Sequence, residues 1–306
     1  MADQEIDWLY LTAIAVVLFA LSTVIDKRLV AGLFPSAWIF NIVFGALSFV
    51  RGVCFVIPAG LIVGFDGGSG IAWAFAGGIL FGASISLFLH ALSMEDVSRA
   101  ANIQAVTPVF IMITAVTLFG ETVTWVQALG VLIVVAGVML INVRPVAGKI
   151  RPTNTRAFAL LVLSAILMAW AMIVTDQATA RMNVYAVEGV RALGMSCIVL
   201  TVHWRPKYTS LVMATLRKPK VAGLTFLSEG FMVPIAALAL ITALSVGPVS
   251  LVGAGFAAWP LAVLVLSAAL STRFWNVLNE PLDRQTLGLK TVATFLVVGG
   301  VVVLRL

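Results

Sequence analysis

The chain has 306 residues, of which 61% are hydrophobic and only 10% are charged, and its mean hydropathy is +1.11. This composition excludes a water-soluble globule, which could not cover so much apolar surface, and indicates an integral membrane protein. The formal charge of +6 comes from basic residues that lie mostly between apolar stretches, so it reflects membrane topology and not a nucleic-acid-binding surface.

The first apolar stretch follows an acidic segment, residues 1–7, and ends at Asp26-Lys27-Arg28. A secretory signal has positive charge before its apolar core, so we expect a retained first span. About 20 apolar residues cross a bilayer as a helix. Runs of this length predict ten transmembrane helices in an all-α fold, near residues 8–25, 37–57, 71–92, 100–119, 123–143, 157–175, 184–203, 221–244, 249–270 and 287–304.

The basic residues orient these spans. Of the 19 lysines and arginines, 14 fall in loops after odd-numbered spans, whereas the opposite side holds only Arg181 and Arg305. Because cytoplasmic loops carry the excess of Lys and Arg, we expect both termini to be non-cytoplasmic in a multi-pass cell (inner) membrane protein. Cys54 and Cys197 lie within apolar stretches, without metal-ligand or redox spacing, so we expect buried thiols and no metal or cofactor.

The chain also contains an internal repeat. Residues 91–98 resemble residues 243–250 at a displacement of 152 positions. The same displacement relates two further pairs, Pro108 with Pro260 and Gly78 with Gly230. These matches predict two units of five helices, residues 1–150 and 151–306. Because each unit has an odd number of spans, the two must lie inverted in the membrane, which is a frequent architecture of secondary transporters.

The first unit has four motifs in order: Leu92-Ser93-Met94-Glu95-Asp96-Val97-Ser98, Thr107-Pro108-Val109-Phe110, Leu118-Phe119-Gly120-Glu121 and Gly137-Val138-Met139-Leu140. They resemble the EamA unit of the drug/metabolite transporter superfamily. The second unit resembles it less closely, since a charged stretch, residues 273–284, replaces the compact Gly-Glu turn. The resemblance implies ten helices around a central cavity lined by the first, third and fourth helices of each unit, and export or exchange of amino acids, other metabolites or drugs.

Three charged residues lie deep within predicted spans. Glu229 is near the start of the eighth span, where an intramembrane carboxylate marks either a substrate or proton site or a residue that reaches the interface. Arg51 lies within the second span and Arg191 within the seventh, with Glu188 three residues before Arg191 on the same helical face. We expect Glu188 and Arg191 to pair. The arginines either fix helix packing and reach towards headgroups or bind an anionic group of the substrate.

The fourth predicted span has a polar face formed by Gln104 and Thr107, with Asn102 a turn before. Pro108 there and its counterpart Pro260 each remove a backbone hydrogen bond, which makes them hinge candidates. The polar groups either line a cavity or hold helices together.

The remaining candidates are acidic, histidine and aromatic residues within the predicted spans or at their ends. We expect Asp26 and Asp176 to flank the membrane edge. His90 is expected to be either a hydrogen-bonded structural residue or part of a proton relay. Three aromatic residues are predicted either to line a substrate site or to face lipid: Trp259, Trp170 and Phe231.

These observations predict a secondary transporter, an exporter or exchanger of a small metabolite such as an amino acid or related compound. The alternative is a membrane scaffold, or a translocator of a lipid-linked substrate without ion coupling; small residues at Gly78 and Gly82 suit a scaffold. No motif of a hydrolase, metalloprotease or ATPase is present, so no enzyme activity is predicted. The expected partners are a small-molecule substrate, the lipid bilayer, a proton or another ion, and in a homodimer a second copy, but no nucleic acid.

Overall fold

The structure, a computed structural model, describes residues 2–62, 68–119, 124–141, 143–146, 149–152, 154–247, 249–256, 258–270 and 284–303. Nearly all of them are helical. The fourteen α-helices of the described chain are α1 Ala2–Arg28, α2 Ala37–Ile62, α3 Gly68–Met94, α4 Val97–Gln104, α5 Thr107–Phe119, α6 Trp125–Ile141, α7 Thr155–Thr179, α8 Val184–His203, α9 Thr209–Leu216, α10 Pro219–Thr225, α11 Val233–Val246, α12 Val249–Phe256, α13 Trp259–Leu270 and α14 Arg284–Val303.

Six continuous helical segments of the described residues are long and apolar enough to cross a membrane, so the chain is a multi-pass membrane protein. They coincide with the first, second, third, sixth, seventh and eighth predicted spans. Two of them contain π-helical turns: α1 continues through Leu29–Leu33, and Phe226–Met232 joins α10 to α11. Such turns are rare and occur often at functional sites.

The fourth and ninth predicted spans are each broken into two shorter helices, which corrects the prediction of continuous helices there. The first break lies between α4 and α5 and the second between α12 and α13. Pro108 and Pro260 each occupy the second position of the helix after the break. A proline is tolerated in a first helical turn but interrupts a helix that continues before it, which explains both breaks.

The break before α5 leaves a backbone carbonyl that needs a partner. Pro108 has no N–H, so the carbonyl of Gln104, four residues earlier, cannot accept a helical hydrogen bond from it. The hydroxyl of Thr107 donates to that carbonyl instead, at 2.7 Å. The carbonyl freed by Pro108 is therefore satisfied by the residue beside the proline, as buried backbone groups require.

A short antiparallel hairpin lies between the predicted halves of the chain and departs from the all-α prediction. Strand β1, Val143–Val146, pairs with β2, Lys149–Pro152, with Val146 opposite Lys149. The predicted fifth span therefore ends as helix α6 at Ile141. The remaining described segments are helical or short connections.

The helices of the first half pack mainly on helices of the second. Helix α3 packs against α7 and α8, α2 against α8, α1 against α11, α4 against α13, α5 against α12, and α6 against α14. Close approach of α3 to α8 depends on glycines: a Cβ at Gly78 would overlap the carbonyl oxygen of Arg191, and one at Gly82 would lie 2.9 Å from the Cα of Met195. The small-residue face of α3 is therefore used within the chain.

The outer surface of the helices is apolar. Trp125 is 92% exposed and Leu61 is 82% exposed, which suits side chains whose solvent is lipid. Cys54 and Cys197 are also exposed on this surface, so the prediction that they are buried was wrong. An apolar stretch in a membrane helix does not distinguish a side chain that faces lipid from one that faces the core.

Candidate functional site

A cavity lies at the centre of the bundle, between α1, α3, the α4–α5 break, α7, α11 and the α12–α13 break. The volume of the cavity is about 90 Å³. About 10–15 Å³ of cavity volume holds one water, so the cavity takes several waters or a small solute. Its elements agree with the lining that the family resemblance implies. Six of the residues that line the cavity are aromatic: Phe19, Phe44, Phe81, Phe88, Phe256 and Trp259.

Two carboxyl groups meet in this cavity. Asp26 on α1 and Glu229 in the π-helical turn between α10 and α11 both line it, are 6% and 5% exposed, and interact with each other directly. The hydroxyl of Ser228 donates a hydrogen bond of 2.7 Å to Asp26 Oδ1. Two carboxyl groups buried in one cavity of a membrane protein are costly unless they are neutralised or contact water or a solute.

The position of Asp26 corrects its predicted place at the membrane edge. Helix α1 does not end after this residue but continues through the π-helical turn to Leu33, which keeps Asp26 inside the bundle. Glu229 likewise lies within a continuous helical segment, Pro219–Val246, and not at its end. The interpretation of Glu229 as a residue that reaches the interface is therefore wrong. The sequence analysis did not identify Asp26 as a second carboxyl group of the cavity. The signal available for Asp26 was the presence of a carboxylate in an otherwise apolar span.

Next to the carboxyl pair lies a buried cluster of three charges. Glu188 Oε2 accepts a hydrogen bond from Arg191 Nη1 at 2.9 Å, and Glu188 Oε1 forms an ion pair with Arg51 Nε at 3.0 Å. The predicted pair of Glu188 and Arg191 is confirmed, and Arg51, on another helix, joins it. All three side chains are at most 5% exposed, so neither arginine reaches a headgroup region. Arg51 also interacts electrostatically with Glu229, which links the cluster to the carboxyl pair.

Neither arginine lines the cavity. The guanidinium of Arg191 lies 4.0 Å from the ring centre of Phe81, and Arg51 Nη2 is 3.4 Å from the sulfur of Met195. Phe81 and Met195 are cavity-lining residues, so they stand between the two cations and the cavity. Direct contact of either arginine with an anionic substrate is therefore not supported by the geometry.

Gln104 offers the cavity an uncommitted amide. It lines the cavity, is 5% exposed, and neither its Nε2 nor its Oε1 has a hydrogen-bond partner among the described residues. A buried amide without a partner costs free energy, so a solute or water in the cavity would stabilise it. Thr107 and Pro108 line the cavity beside it.

Other predicted site residues lie elsewhere. Asn102 holds α4 to α14, donating to the hydroxyl of Thr294 at 3.0 Å, so it serves helix packing. His90 belongs to a polar cluster away from the cavity lining, where its Nδ1 lies 2.8 Å from the carbonyl of Ser86, and its ring centre is 5.5 Å from that of His203. These contacts correspond to the structural interpretation of His90.

The aromatic predictions divide into two groups. Trp259 is buried, lines the cavity and stacks on Phe256 with ring centres 6.1 Å apart. Trp170 and Phe231 are 46% and 55% exposed and lie on the outer surface. Pro260 is buried beside Trp259 but does not line the cavity. Glu121, of the Gly-Glu turn, lies outside the described residues. Within the described residues, no three His, Cys, Asp or Glu side chains are grouped to hold a metal ion.

Comparison with known proteins agrees with the fold and with the motifs. The EamA-like transporter family matches residues 7–143, which confirms the resemblance over the first half of the chain. A solved structure, titled "Crystal structure of protein", has a TM-score of 0.58 and 19% sequence identity, and the match covers 97% of this chain and 95% of that one. Identity this low shows a common fold alone. No curated protein matches the chain.

Proposed function

Because the family match indicates a membrane transporter of the drug/metabolite transporter type and not an enzyme, we propose that the chain is a secondary transporter that moves a small metabolite through the central cavity. The observation that carries this proposal is the buried carboxyl pair of Asp26 and Glu229 inside that cavity, with the unpartnered amide of Gln104 in the same lining. Intramembrane ionisable groups are costly and are typical of substrate and ion pathways. A scaffold has no use for them at the centre of its own bundle.

The packing of the helices supports two inverted units of five helices, residues 1–150 and 151–306. With α4–α5, α10–α11 and α12–α13 each counted as one crossing, the ten crossings are α1, α2, α3, α4–α5, α6, α7, α8, α10–α11, α12–α13 and α14. Helices α1 and α7 are the first crossings of the two units, and α3 and α10–α11 are the third. The contact of α1 with α11 therefore corresponds to the contact of α7 with α3, and both contacts are present. The breaks at Pro108 and Pro260 are related by the same exchange and are candidate hinges for alternating access.

The charge distribution and the cavity chemistry support the remaining parts of the proposal. The excess of basic residues in the odd-numbered loops supports a cell (inner) membrane location with non-cytoplasmic termini. The acidic pair supports ion coupling, in which a proton gradient drives export or exchange of the metabolite. The use of Gly78 and Gly82 in internal packing removes the main argument for a scaffold.

The proposal is tested by ligand binding and by flux. In detergent, a ligand at about 100 times its dissociation constant stabilises the folded protein by roughly 2.7 kcal/mol, so a melting-temperature screen of amino acids, amines, sugars and nucleosides should give hits. A hit is then assayed as uptake into proteoliposomes.

A matched pair of glycine variants makes the flux assay specific for the cavity. Gly253 lines the cavity, and a Cβ at this position would meet only the ends of two side chains within 4 Å, Ile111 at 3.3 Å and Met172 at 3.8 Å. Gly253→Phe should fill the cavity and abolish flux while the protein stays folded. Gly223 has nothing within 4 Å and lies outside the cavity lining, so Gly223→Phe should retain flux. Equal flux in both variants, or in protein-free liposomes, would contradict transport through this cavity.

A further inference from the structure

The connection between α8 and α10 combines exposed basic side chains with exposed apolar ones. It runs from Trp204, directly after α8, through a 3₁₀ turn and α9 to Lys220 in the first turn of α10, and we call residues 204–220 the basic segment. Helix α8 and the continuous segment Pro219–Val246 are both long and apolar enough to cross the membrane. Because the basic segment joins the end of one crossing to the start of the next, it lies at a membrane face.

The charge of the basic segment is entirely positive. It has five basic side chains and no acidic one, and all five are exposed: Arg205, Lys207, Arg217, Lys218 and Lys220. The sequence has no Asp or Glu between Glu188 and Glu229, and both of those carboxyl groups are buried inside the bundle. Helices α2 and α10, on which α9 packs, contain no acidic residue either. The neighbouring protein therefore supplies no counter-charge.

The contacts of the five basic side chains leave their charges available. Arg205 Nη1 donates a hydrogen bond of 2.7 Å to the carbonyl of Trp204, and Lys207 Nζ lies 5.1 Å from the ring centre of Tyr208. Among the residues that the structure describes, none of the five forms an ion pair with a carboxylate. An anion from outside the chain would therefore meet exposed cations without breaking an internal ion pair.

Helix α9 separates the basic residues into two groups and is itself uncharged. One of its faces packs on the hydrophobic core through Val212 and Leu216. On the outside, Leu211 and Met213 are 39% and 58% exposed. Exposed apolar side chains beside exposed basic ones are typical of a helix in the membrane interface, where the apolar groups reach acyl chains and the basic groups stay at the headgroups.

From this arrangement we propose that the basic segment binds anionic phospholipids, whose phosphodiester headgroups contact the five cations while their acyl chains contact Leu211 and Met213. The inference is independent of the transported substrate. In the proposed orientation the segment, which follows an odd-numbered span, faces the cytoplasmic leaflet, and this leaflet contains anionic lipids that attract basic residues near the membrane. No covalent bond changes.

The geometry of α9 predicts two headgroup sites. Arg205 and Lys207 precede the helix, and the other three basic residues follow it. A helix of eight residues is about 12 Å long, and charges separated by more than about 8 Å are largely screened at physiological salt. The two groups should therefore bind separate lipids.

Charge and apolar contact together favour a lipid over a soluble anion. A basic residue near an anionic membrane surface contributes about fivefold to affinity, so two at one end of α9 contribute on the order of tenfold or more. A soluble phosphate would gain only this interaction between exposed charges. A lipid also places its acyl chains against the exposed apolar side of α9, which adds a hydrophobic contribution.

The test compares phosphatidylglycerol with phosphatidylcholine of identical acyl chains, added together to the full-length protein in a neutral detergent. Native mass spectrometry counts the bound molecules of each lipid. We expect the parent protein to retain two molecules of phosphatidylglycerol, preferred on the order of tenfold over phosphatidylcholine. The preference should fall as the salt concentration rises, because salt screens exposed charges. Phosphatidylglycerol should also raise the melting temperature more than phosphatidylcholine does.

Variants locate the two sites. Arg205→Gln with Lys207→Gln should lose one of the two lipids, and neutralisation to Gln of the three basic residues after α9 should lose the other. Lys218→Arg with Lys220→Arg keeps the charge and should retain both lipids. The matched control is Arg181→Gln, which removes an exposed basic side chain at the opposite end of α8 and should also retain both. The parent melting temperature in lipid-free detergent establishes that each variant is folded, since exposed side chains contribute little to stability.

Three results would overturn the inference. The first is equal retention of the two lipids by the parent protein. The second is a preference for phosphatidylglycerol that survives neutralisation of all five basic residues, because the lipid would then bind elsewhere. The third is stabilisation by soluble glycerol 3-phosphate as large as that by phosphatidylglycerol, which would assign the basic segment to a free anion. None of these results bears on flux through the central cavity, which is measured separately.

Discussion

Glu188 is the residue whose neutralisation should destabilise the fold most clearly. Its carboxylate is fully buried and lies 3.0 Å from Arg51 Nε and 2.9 Å from Arg191 Nη1. The change Glu188→Gln keeps the size of the side chain but leaves two buried guanidinium groups beside each other without their anion. Removal of one partner from a buried ion pair costs about 3–5 kcal/mol.

Two contacts reduce this cost and set the expected size of the effect. Arg191 keeps its position over the ring of Phe81, and such a contact contributes about 0.5–2 kcal/mol. Arg51 keeps its interaction with Glu229. We therefore predict that Glu188→Gln lowers the free energy of unfolding by about 3 kcal/mol, near the lower end of the range for buried pairs.

The assay is equilibrium unfolding in mixed micelles of a mild detergent and sodium dodecyl sulfate, followed by the fluorescence of the eight tryptophans. Asp176→Asn is the control, because it removes a carboxylate that is only half-buried, and it should change the free energy of unfolding by less than about 1 kcal/mol. The double variant Arg51→Met, Glu188→Gln should cost less than the sum of its single changes, since it removes a cation together with the anion. Equal stability of Glu188→Gln and the parent protein would refute the assignment of Glu188 as the anion that holds the two arginines.

Two further predictions concern helix packing and are checked by the same unfolding assay. Gly78→Ala places a methyl group against the backbone oxygen of Arg191, which no side-chain rotation relieves, so it should cost about 1–3 kcal/mol. Gly223→Ala, with nothing within 4 Å, should be neutral or stabilising by up to about 1 kcal/mol, and a similar loss in both would contradict close packing of α3 on α8. Asn102→Leu and Thr294→Val should each lower the free energy of unfolding by about 0.6–2 kcal/mol. Because each change removes the same hydrogen bond, the double variant should lose no more than the larger single loss. Fully additive costs would show that the two side chains act separately.

Local features of the fold were predictable because they depend on neighbours in sequence. The spacing of three between Glu188 and Arg191 placed them on one helical face, and their ion pair is present. The repeat of Pro108 at Pro260 marked the two positions where the structure breaks a helix. The prediction erred only in keeping each span continuous, because hydropathy measures apolar length and is insensitive to a missing backbone donor.

Features that join distant segments were not predictable from one sequence. Arg51 reaches Glu188 across 137 positions, and Asn102 reaches Thr294 across 192, so neither contact has a local signal. Asp26 was misplaced because three ionisable residues in a row, Asp26-Lys27-Arg28, are typical of a membrane edge, whereas the π-helical turn extends α1 beyond them. Glu229 could be identified as a site candidate because a carboxylate inside a membrane is energetically costly. Its neighbour Asp26 could be found only from the packing of α1 on the π-helical turn that contains Glu229.

The measurement that tests the central claim most directly is uptake, into proteoliposomes that contain the purified protein, of a ligand found by the melting-temperature screen. The account predicts uptake by the parent protein and by Gly223→Phe, and none by Gly253→Phe, because the new ring fills the cavity. Equal uptake by the two variants, or uptake by the parent protein no faster than into protein-free liposomes, would contradict transport of a small metabolite through the central cavity.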